Sequence, residues 1–299
     1  MTARKSPALR TCSLYVALAM SALWPLGQAF ASESLSDSVD LAEVHEFSDD
    51  PDQVLKTWEN GHVFVPGLVI GEFIYGKLGS PSVQSRLDEL PNDVRYPLIV
   101  FLHDAAGLTG YEYRLQMALE VENFAMVLPD SYARTDRQFD CERHKYKVKN
   151  CAMSPDVYLS RRSELIHAVR AARRLSWVDQ DNVFLMGSGE GGVAVALWGD
   201  EVDVSGYVIA NWTCTAPAEL TWFDGLRTPS NHPTLALTAS GNRWADMPGW
   251  DGNCADKANA DADVKALVID ISVSDVLGLA EGRRALIEFL YANLRARLN

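Results

Sequence analysis

The glycine-rich stretch at residues 187–192, GSGEGG, has the residue types of a turn that presents a nucleophile. It follows the apolar run NVFLM and precedes the apolar run VAVALW, which predicts a buried strand, a sharp turn and a helix. In the pattern G-x-S-x-G, such a turn holds a serine at its apex, exposed for attack on a carbonyl. Here the flanking glycines, 187 and 191, enclose Gly189, and Ser188 stands one position early. Glycine tolerates the strained backbone of the apex but has no group that could attack.

Strands and helices alternate along the chain around this turn. Apolar residues alternate with glycines over 62–76, which predicts a hairpin. A continuous apolar run predicts a strand buried on both faces at 96–103, and further strands are predicted at 124–130, 205–211, 233–239 and 264–271. Helical spacing predicts helices at 111–121, 159–178 and 281–298, the second with its arginines on the outer face. We therefore expect an α/β fold, a mostly parallel sheet with helices on both faces, whose ligands bind at the carboxyl ends of the strands.

The first 31 residues have the features of a secretory signal. Arg4, Lys5 and Arg10 precede the apolar run SLYVALAMSALWPLG, and Ala29 and Ala31 have the spacing of a cleavage site. We expect residues 1–31 to be removed, residues 32–60 to form an N-terminal arm, and residues 61–299 to form the α/β domain. The arm is expected to be loose or to contain a short helix around DPDQVLKTWEN. The mature protein would then be periplasmic or secreted.

The charge balance is acidic and bears on the partners. The net charge is −13, and loss of three positive charges with the signal would make it −16. Such a surface repels nucleic acid and anionic membranes, so we expect no nucleic-acid binding and no stable membrane insertion after cleavage. The expected partner is a small molecule or a protein of the cell envelope. With no phosphate-binding motif and no CxxC pair, we expect no cofactor and no metal ion.

Four cysteines remain after the signal, an even number that predicts disulfides in an exported chain. They are Cys141, Cys151, Cys214 and Cys254, and three pairings are open. Cys141 and Cys151 are close in one loop. Cys214 lies just beyond one predicted strand and Cys254 in the loop after the next, which brings them to the same edge of a parallel sheet. We therefore favour the pairs 141–151 and 214–254.

Five segments in order resemble the dienelactone-hydrolase-like branch of the α/β-hydrolases, over about residues 60–299. They are YPLIVFLHDAAGL, VLPDSYARTDR, WVDQDNVFLMGSGEGG, PTLALTASGNRWAD and DVLGLAEGRRALIEFL. The resemblance implies the α/β-hydrolase fold, with a nucleophile, an acid and a histidine in that chain order.

The resemblance also implies where the catalytic triad should stand. The nucleophile position is Gly189, the acid position is Asn242 and the histidine position is Ser274. The last histidine in the chain is His232, so no shift of register supplies a base near Ser274. An amide such as Asn242 cannot carry the charge that stabilises an imidazolium. We therefore predict a degenerate triad, with Ser188 as a fallback nucleophile and Asp246 as a displaced acid.

The oxyanion hole needs only backbone N–H groups and is expected to persist. Its donors would be Glu190 and the loop at Asp104 and Ala105, where Asp104 replaces the usual glycine of a His-Gly start. The carboxylates of Asp104 and Glu190 are expected to repel an anion. The side chains expected to line the cleft, or else to anchor its loops, are His103, Asp130, Ser131 and Arg134.

Three functions follow from these observations. The first is an exported pseudo-hydrolase that binds a ligand or partner without covalent catalysis. The second is an active ester or lactone hydrolase with a rearranged site, using Ser188 with His103 or Asp246, or a water activated by Glu190 or Asp104. The third is a non-catalytic structural or assembly protein of the cell envelope.

Overall fold

The computed structural model describes residues 49–138, 142–144, 147–149, 154–241, 249–271 and 275–295. The predicted signal, most of the predicted arm and the predicted pair Cys141 and Cys151 lie outside these residues. None of the helices in the described ranges is long and apolar enough to cross a membrane.

An eight-stranded sheet forms the centre of the described part, in the order β2-β1-β4-β3-β7-β8-β9-β10. The six strands β4, β3, β7, β8, β9 and β10 are parallel to one another. Strand β1 pairs antiparallel with β4 and forms an antiparallel hairpin with β2. The bounds are β1 His62–Val65, β2 Ile74–Lys77, β3 Tyr96–Leu102, β4 Ala125–Leu128, β7 Val178–Ser188, β8 Gly206–Ala210, β9 Thr234–Ala239 and β10 Val264–Ile269. The predicted hairpin and mostly parallel sheet are therefore confirmed.

The described ranges contain six α-helices. Their bounds are α1 Pro51–Glu59, α2 Pro81–Asp88, α3 Gly110–Glu120, α4 Pro155–Ala172, α5 Glu190–Trp198 and α6 Ala280–Ala292. Apolar side chains of α4 and α5 form one core with Leu98 and Val100 of β3. Those of α3 and α6 form a second core with Ile99 and Phe101. Alternate residues of β3 thus face opposite cores, as a strand buried on both faces requires.

The bounds of helix α4 and a short ribbon differ from the sequence-based expectation. The helix predicted over 159–178 starts four residues earlier, at Pro155, and ends at Ala172. The chain turns after Ala172, and Val178 already pairs with Tyr96 as the first residue of β7. Residues 51–59 of the predicted arm form helix α1, whose N-cap Asp50 accepts the Asp52 N–H at 2.9 Å. The Thr57 carbonyl accepts the Asp130 N–H at 2.8 Å, which joins this helix to the loop after β4.

A two-stranded antiparallel ribbon, formed by β5 Glu142–His144 and β6 Lys147–Lys149, was not predicted.

The favoured disulfide between Cys214 and Cys254 is confirmed. Its Cα atoms lie 4.8 Å apart, and both side chains are fully buried. Cys214 follows β8 and Cys254 follows β9, so the bond ties two loops at the carboxyl edge of the sheet.

Candidate functional site

The turn between β7 and α5 has the geometry of a nucleophile elbow. Gly189 stands at the apex with φ +53° and ψ −115°, a conformation that L side chains rarely adopt. A Cβ on Gly187 would lie 2.1 Å from the Gly191 carbonyl oxygen, and one on Gly191 would lie 2.1 Å from the Leu102 carbonyl oxygen. The backbones of β3, β7 and α5 therefore approach too closely for any side chain at these two positions. The shape of the elbow is built by its glycines.

The Asp104 carboxylate lies directly over the apex. A Cβ on Gly189 would stand 2.7 Å from Asp104 Oδ2 and 2.9 Å from Oδ1. These distances are shorter than a van der Waals contact, so the carboxylate fills the space that a nucleophilic side chain would need. The sequence carries one sign of this, since Asp104 stands where the related loop begins with His-Gly. The sequence contains no sign that this side chain meets Gly189.

Ser188 is buried at the end of β7, before the apex. It pairs with Ala210 across the sheet, and its Oγ accepts a hydrogen bond from Asn211 Nδ2 at 2.9 Å. Only 3% of the residue is exposed. A serine in this setting has neither the exposure nor a histidine contact in the described part of the chain. The geometry gives no support to Ser188 as a fallback nucleophile.

His103 uses both ring nitrogens to hold loops together. Its Nε2 accepts the backbone N–H of Ser131 at 3.0 Å, so Nδ1 carries the proton and donates to the Asp104 carbonyl at 2.7 Å. The ring is fully buried and neutral in this arrangement. Asp130 likewise anchors a loop, because its Oδ1 accepts the Tyr132 N–H at 3.0 Å. Of the two roles expected for these residues, loop anchoring is the one that the contacts support.

Glu190 does not present its carboxylate to the cleft, contrary to expectation. The carboxylate lies 2.7 Å from Arg137 Nη2 and 3.4 Å from Arg161 Nε, and only 1% of the side chain is exposed. Buried charges of this kind are paired, and here Arg137 and Arg161 compensate Glu190 together with the buried Glu164. Glu190 can therefore neither repel an anion at the cleft nor activate a water there.

Arg134 and Ser131 also belong to a buried polar network. Ser131 Oγ donates to Glu164 Oε1 at 2.8 Å, and Arg134 Nη1 donates to Asp49 Oδ2 at 2.9 Å. Burial lowers the pKa of Arg134, but hydrogen bonds to Asp49 and Asp136 more than reverse this and raise it overall. Since only 1% of the Arg134 side chain is exposed, it does not line the cleft as expected.

Arg161 connects the two loops that carry the expected oxyanion donors. Its Nη2 donates to the His103 carbonyl at 2.9 Å, and its Nη1 donates to Glu164 Oε2 at 2.7 Å. Through its contact with Glu190, the same guanidinium reaches the first residue of α5. Burial raises the pKa of Glu164, against the opposing effect of Arg161 and Arg137. The loop after β3 and the elbow are thus held by one fully buried side chain.

Asn242, Asp246 and Ser274 lie outside the described residues, so the degenerate triad stays a prediction. The chain beside them is described at two points. Gly241 N–H donates to the Ile271 carbonyl at 2.9 Å, and Asp275 Oδ1 accepts the Gly278 N–H at 2.7 Å. The loops after β9 and β10 therefore leave the sheet together, at the edge that carries the elbow. Within the described ranges, no group of three His, Cys, Asp or Glu side chains is placed to hold a metal ion.

Comparison with known proteins gives similarity at the level of structure. No family model and no curated protein matches the chain. An acetyl xylan esterase from Paenibacillus sp. R4 shares 15% identity over 67% of this chain and 75% of its own, with a TM-score of 0.49. A dienelactone hydrolase-like promiscuous phosphotriesterase from metagenomic libraries shares 13% identity over 78% and 97%, with a TM-score of 0.49. Esterase PE8 shares 14% identity over 68% and 95%, with a TM-score of 0.48.

These similarities are distant and concern the fold alone. The fold itself follows from the sheet order, the hairpin added to β4, and the elbow between β7 and α5. The chain has the α/β-hydrolase fold, and it resembles dienelactone-hydrolase-like and esterase structures as its sequence segments predicted.

Proposed function

We propose that this chain is an exported α/β-hydrolase-fold protein that has lost covalent hydrolase chemistry and binds a ligand or partner at the carboxyl edge of its sheet. The observation that carries this proposal is the pair Gly189 and Asp104. The apex has no side chain, and the carboxylate fills the volume where one would stand. A nucleophile at the apex would need a side chain at residue 189 and a shift of the Asp104 side chain.

The other candidate groups support the same proposal. Ser188 is buried and hydrogen-bonded to Asn211, and both ring nitrogens of His103 are hydrogen-bonded to backbone groups. The Glu190 carboxylate forms ion pairs with Arg137 and Arg161. Ser188, His103 and Glu190, three of the groups that the rearranged-site hypothesis would use, are therefore engaged in other contacts.

Export is part of the proposal and rests on the basic and apolar pattern of residues 1–31. The buried disulfide agrees with it, since such bonds form in oxidising compartments. The proposed location is the periplasm or the medium, and the proposed partner is a small molecule or a protein of the cell envelope.

The test is labelling with a fluorophosphonate, which bonds to activated serine nucleophiles. We expect no adduct by intact mass at high excess of probe, and the same result for the Ser188→Ala variant. An adduct that maps to Ser188 and disappears in Ser188→Ala would overturn the proposal. Faint esterase activity would not, because a hydrolase without its triad keeps about 10³–10⁴-fold acceleration over water.

An active hydrolase is the second candidate, favoured by the intact elbow and the fixed oxyanion loops. In that case Asp104 would activate a water, since it is the carboxylate nearest the apex in the described chain. This function requires turnover of about 1–10³ s⁻¹ on some ester or lactone. Loss of that turnover in Asp104→Asn, with labelling still absent, would identify it.

A further inference from the structure

Strand β10 is the last strand at one side of the sheet, and β8 and β9 separate it from the elbow strand β7. It pairs in parallel with β9 over its six residues, without a shift of register. Within the part of the chain that the structure describes, no strand pairs with its other side. We call this outer side of β10 the open edge. The open edge of a sheet is a template for pairing with another chain.

The backbone groups of the open edge follow from the hydrogen bonds to β9. The Ile269 carbonyl accepts the Ser240 N–H at 2.9 Å, so Ile269 bonds on the β9 side. Because successive residues of a strand bond on opposite sides, the odd-numbered residues of β10 all bond to β9. The even-numbered residues Ala266 and Val268 therefore direct their N–H and C=O groups outward. These groups are positioned to bond to one more strand.

The side chains of the open edge are mainly apolar. Val268 is 52% exposed, and Ala266 and Leu267 beside it are half-buried. Natural edge strands are protected by charged residues, proline or a bulge. Strand β10 contains no proline and pairs with β9 without a bulge, and its single charged residue is Lys265 near its start. The carboxyl half of β10 is therefore suited to apolar contact.

The strand at the other side of the sheet, β2, differs in this respect. It is only four residues long, and side chains of α2 bond to carbonyls at both of its ends. Arg86 Nη2 donates to the Phe73 carbonyl at 3.0 Å, and Gln84 Nε2 donates to the Leu78 carbonyl at 2.6 Å. A short strand with its ends covered is a poor template. Of the two outer strands, β10 is the one that can accept a partner.

Acidic side chains flank the open edge and indicate the charge of that partner. Asp261 and Asp263 precede β10, Asp270 follows it, and all three are exposed. They outnumber Lys265 three to one, and the whole chain carries a net charge of −13. A second copy of so acidic a chain would be repelled. An extended segment with basic residues at its ends is complementary to this surface.

We propose that the open edge of β10 binds an extended segment of a partner protein, with alternating apolar residues and basic ends, which adds a strand to the sheet. The backbone groups of Ala266 and Val268 bond to the segment, and the Val268 side chain contacts its apolar residues. The flanking aspartates attract its basic ends. This inference goes beyond the proposed function and does not depend on it, because no group of the elbow takes part.

The probe is the synthetic peptide KKVTVTVKK, acetylated and amidated at its ends. Isothermal titration calorimetry measures its binding to the full chain, and NMR measures amide exchange with and without the peptide. We expect binding to slow the exchange of the Ala266 and Val268 N–H groups by about 10-fold or more, because they gain hydrogen-bond partners. Absence of binding at about 1 mM peptide would overturn the inference. Binding that leaves both amides unprotected would overturn it as well.

The variant Val268→Lys places a like charge against the peptide. We expect its affinity for KKVTVTVKK to fall by about 10-fold or more. The matched control is Val121→Lys, because Val121 is also exposed, lies directly after α3, and the change in net charge is the same. Equal losses in the two variants would assign the effect to net charge and reject the open edge. If Val268→Lys does not fold, the amide exchange of the wild type decides the test.

Two further measurements test the chemistry of the partner. The acidic peptide EEVTVTVEE should bind at least about 10-fold more weakly than KKVTVTVKK, and equal affinities would reject a basic partner. Sedimentation should show a monomer. A dimer of the wild type that Val268→Lys dissociates would make a second copy the occupant and overturn the proposal. A fluorophosphonate adduct would reject the proposed function and leave this inference standing.

Discussion

Asp104 and Gly189 are complementary in volume, one residue supplying a side chain where the other has none. The glycine at the apex could be read from the sequence, because the G-x-S-x-G spacing fixes which residue stands there. The position of the Asp104 side chain could not be read from the sequence. It meets Gly189 only because β3 and β7 are neighbours, with Leu102 opposite Gly187. Contacts between residues distant in sequence are set by strand order, which periodicity does not reveal.

A restored serine at residue 189 would have to displace the Asp104 carboxylate from the apex. The sequence alone predicts that Gly189→Ser, Asn242→Asp and Ser274→His together would gain ester hydrolysis. In the structure, the new Cβ would clash with the Asp104 carboxylate at 2.7 Å. We therefore expect the triple variant to hydrolyse p-nitrophenyl acetate slowly, because the Asp104 side chain competes for the space at the apex. Adding Asp104→Gly should raise that rate. A quadruple variant that folds without gaining activity would show that Asn242 or Ser274 has been assigned wrongly.

Helix α4 shows where helical periodicity succeeds and where it fails. The apolar spacing correctly predicted its buried face, including Leu165 and Val169. The same spacing placed its arginines on the outer face, and this is wrong for Arg161, which is fully buried. A charged side chain can be buried only with partners, and those of Arg161 come partly from β3 and α5. A helical pattern contains no information about such partners.

The substitution Arg161→Met tests how much this network contributes to stability. It would leave Glu164 and Glu190 buried with fewer compensating contacts, so we expect the free energy of unfolding to fall by about 3–5 kcal/mol. The matched control is the adjacent Arg162→Met, whose pair with Glu201 is partly exposed. That change should cost about 0–1 kcal/mol. Urea denaturation measures both, and similar losses would mean that the buried pairs contribute no more than a surface pair.

For the whole molecule, the sequence supplied the fold class and the edge that carries the site. It did so because each predicted strand is a separate apolar run, and because parallel strands bring their carboxyl ends together. The same reasoning supplied the Cys214–Cys254 pair. What it could not supply were features of local geometry, such as the short ribbon β5–β6 in a basic run that has no apolar pattern.

The disulfide should contribute to the stability of the whole domain, since it joins residues 40 positions apart. Replacing Cys214 and Cys254 together by alanine should lower the free energy of unfolding by about 2–4 kcal/mol. The comparison is the same double replacement at Cys141 and Cys151, whose predicted bond closes a shorter loop and is expected to contribute less. Thermal denaturation of the two variants ranks the effects, and the reverse order would contradict this expectation.

The pH dependence of stability should carry a contribution from two histidines. Burial lowers the pKa of His62 and of His167, with Lys77 and Arg174 acting in the same direction and Asp130 opposing at His62. The unfolded chain then binds protons that the native state does not, so this contribution is present above a pH of about 6.5 and is lost as the pH falls through the lowered values. Urea denaturation at about pH 8 and about pH 6 should show a larger loss in the wild type than in the His62→Gln/His167→Gln variant. Equal losses would contradict it.

The contact between Asp104 and Gly189 also constrains the routes by which this fold could acquire chemistry. A serine introduced at the apex by a single substitution meets the Asp104 carboxylate, which has to turn aside before the hydroxyl can act. A glycine introduced first at 104 leaves the apex open. We therefore expect the change at 104 to precede the change at 189 on a path toward a working elbow. Directed evolution from a random library should recover this order, and single-site screens at residue 189 should return no active clones.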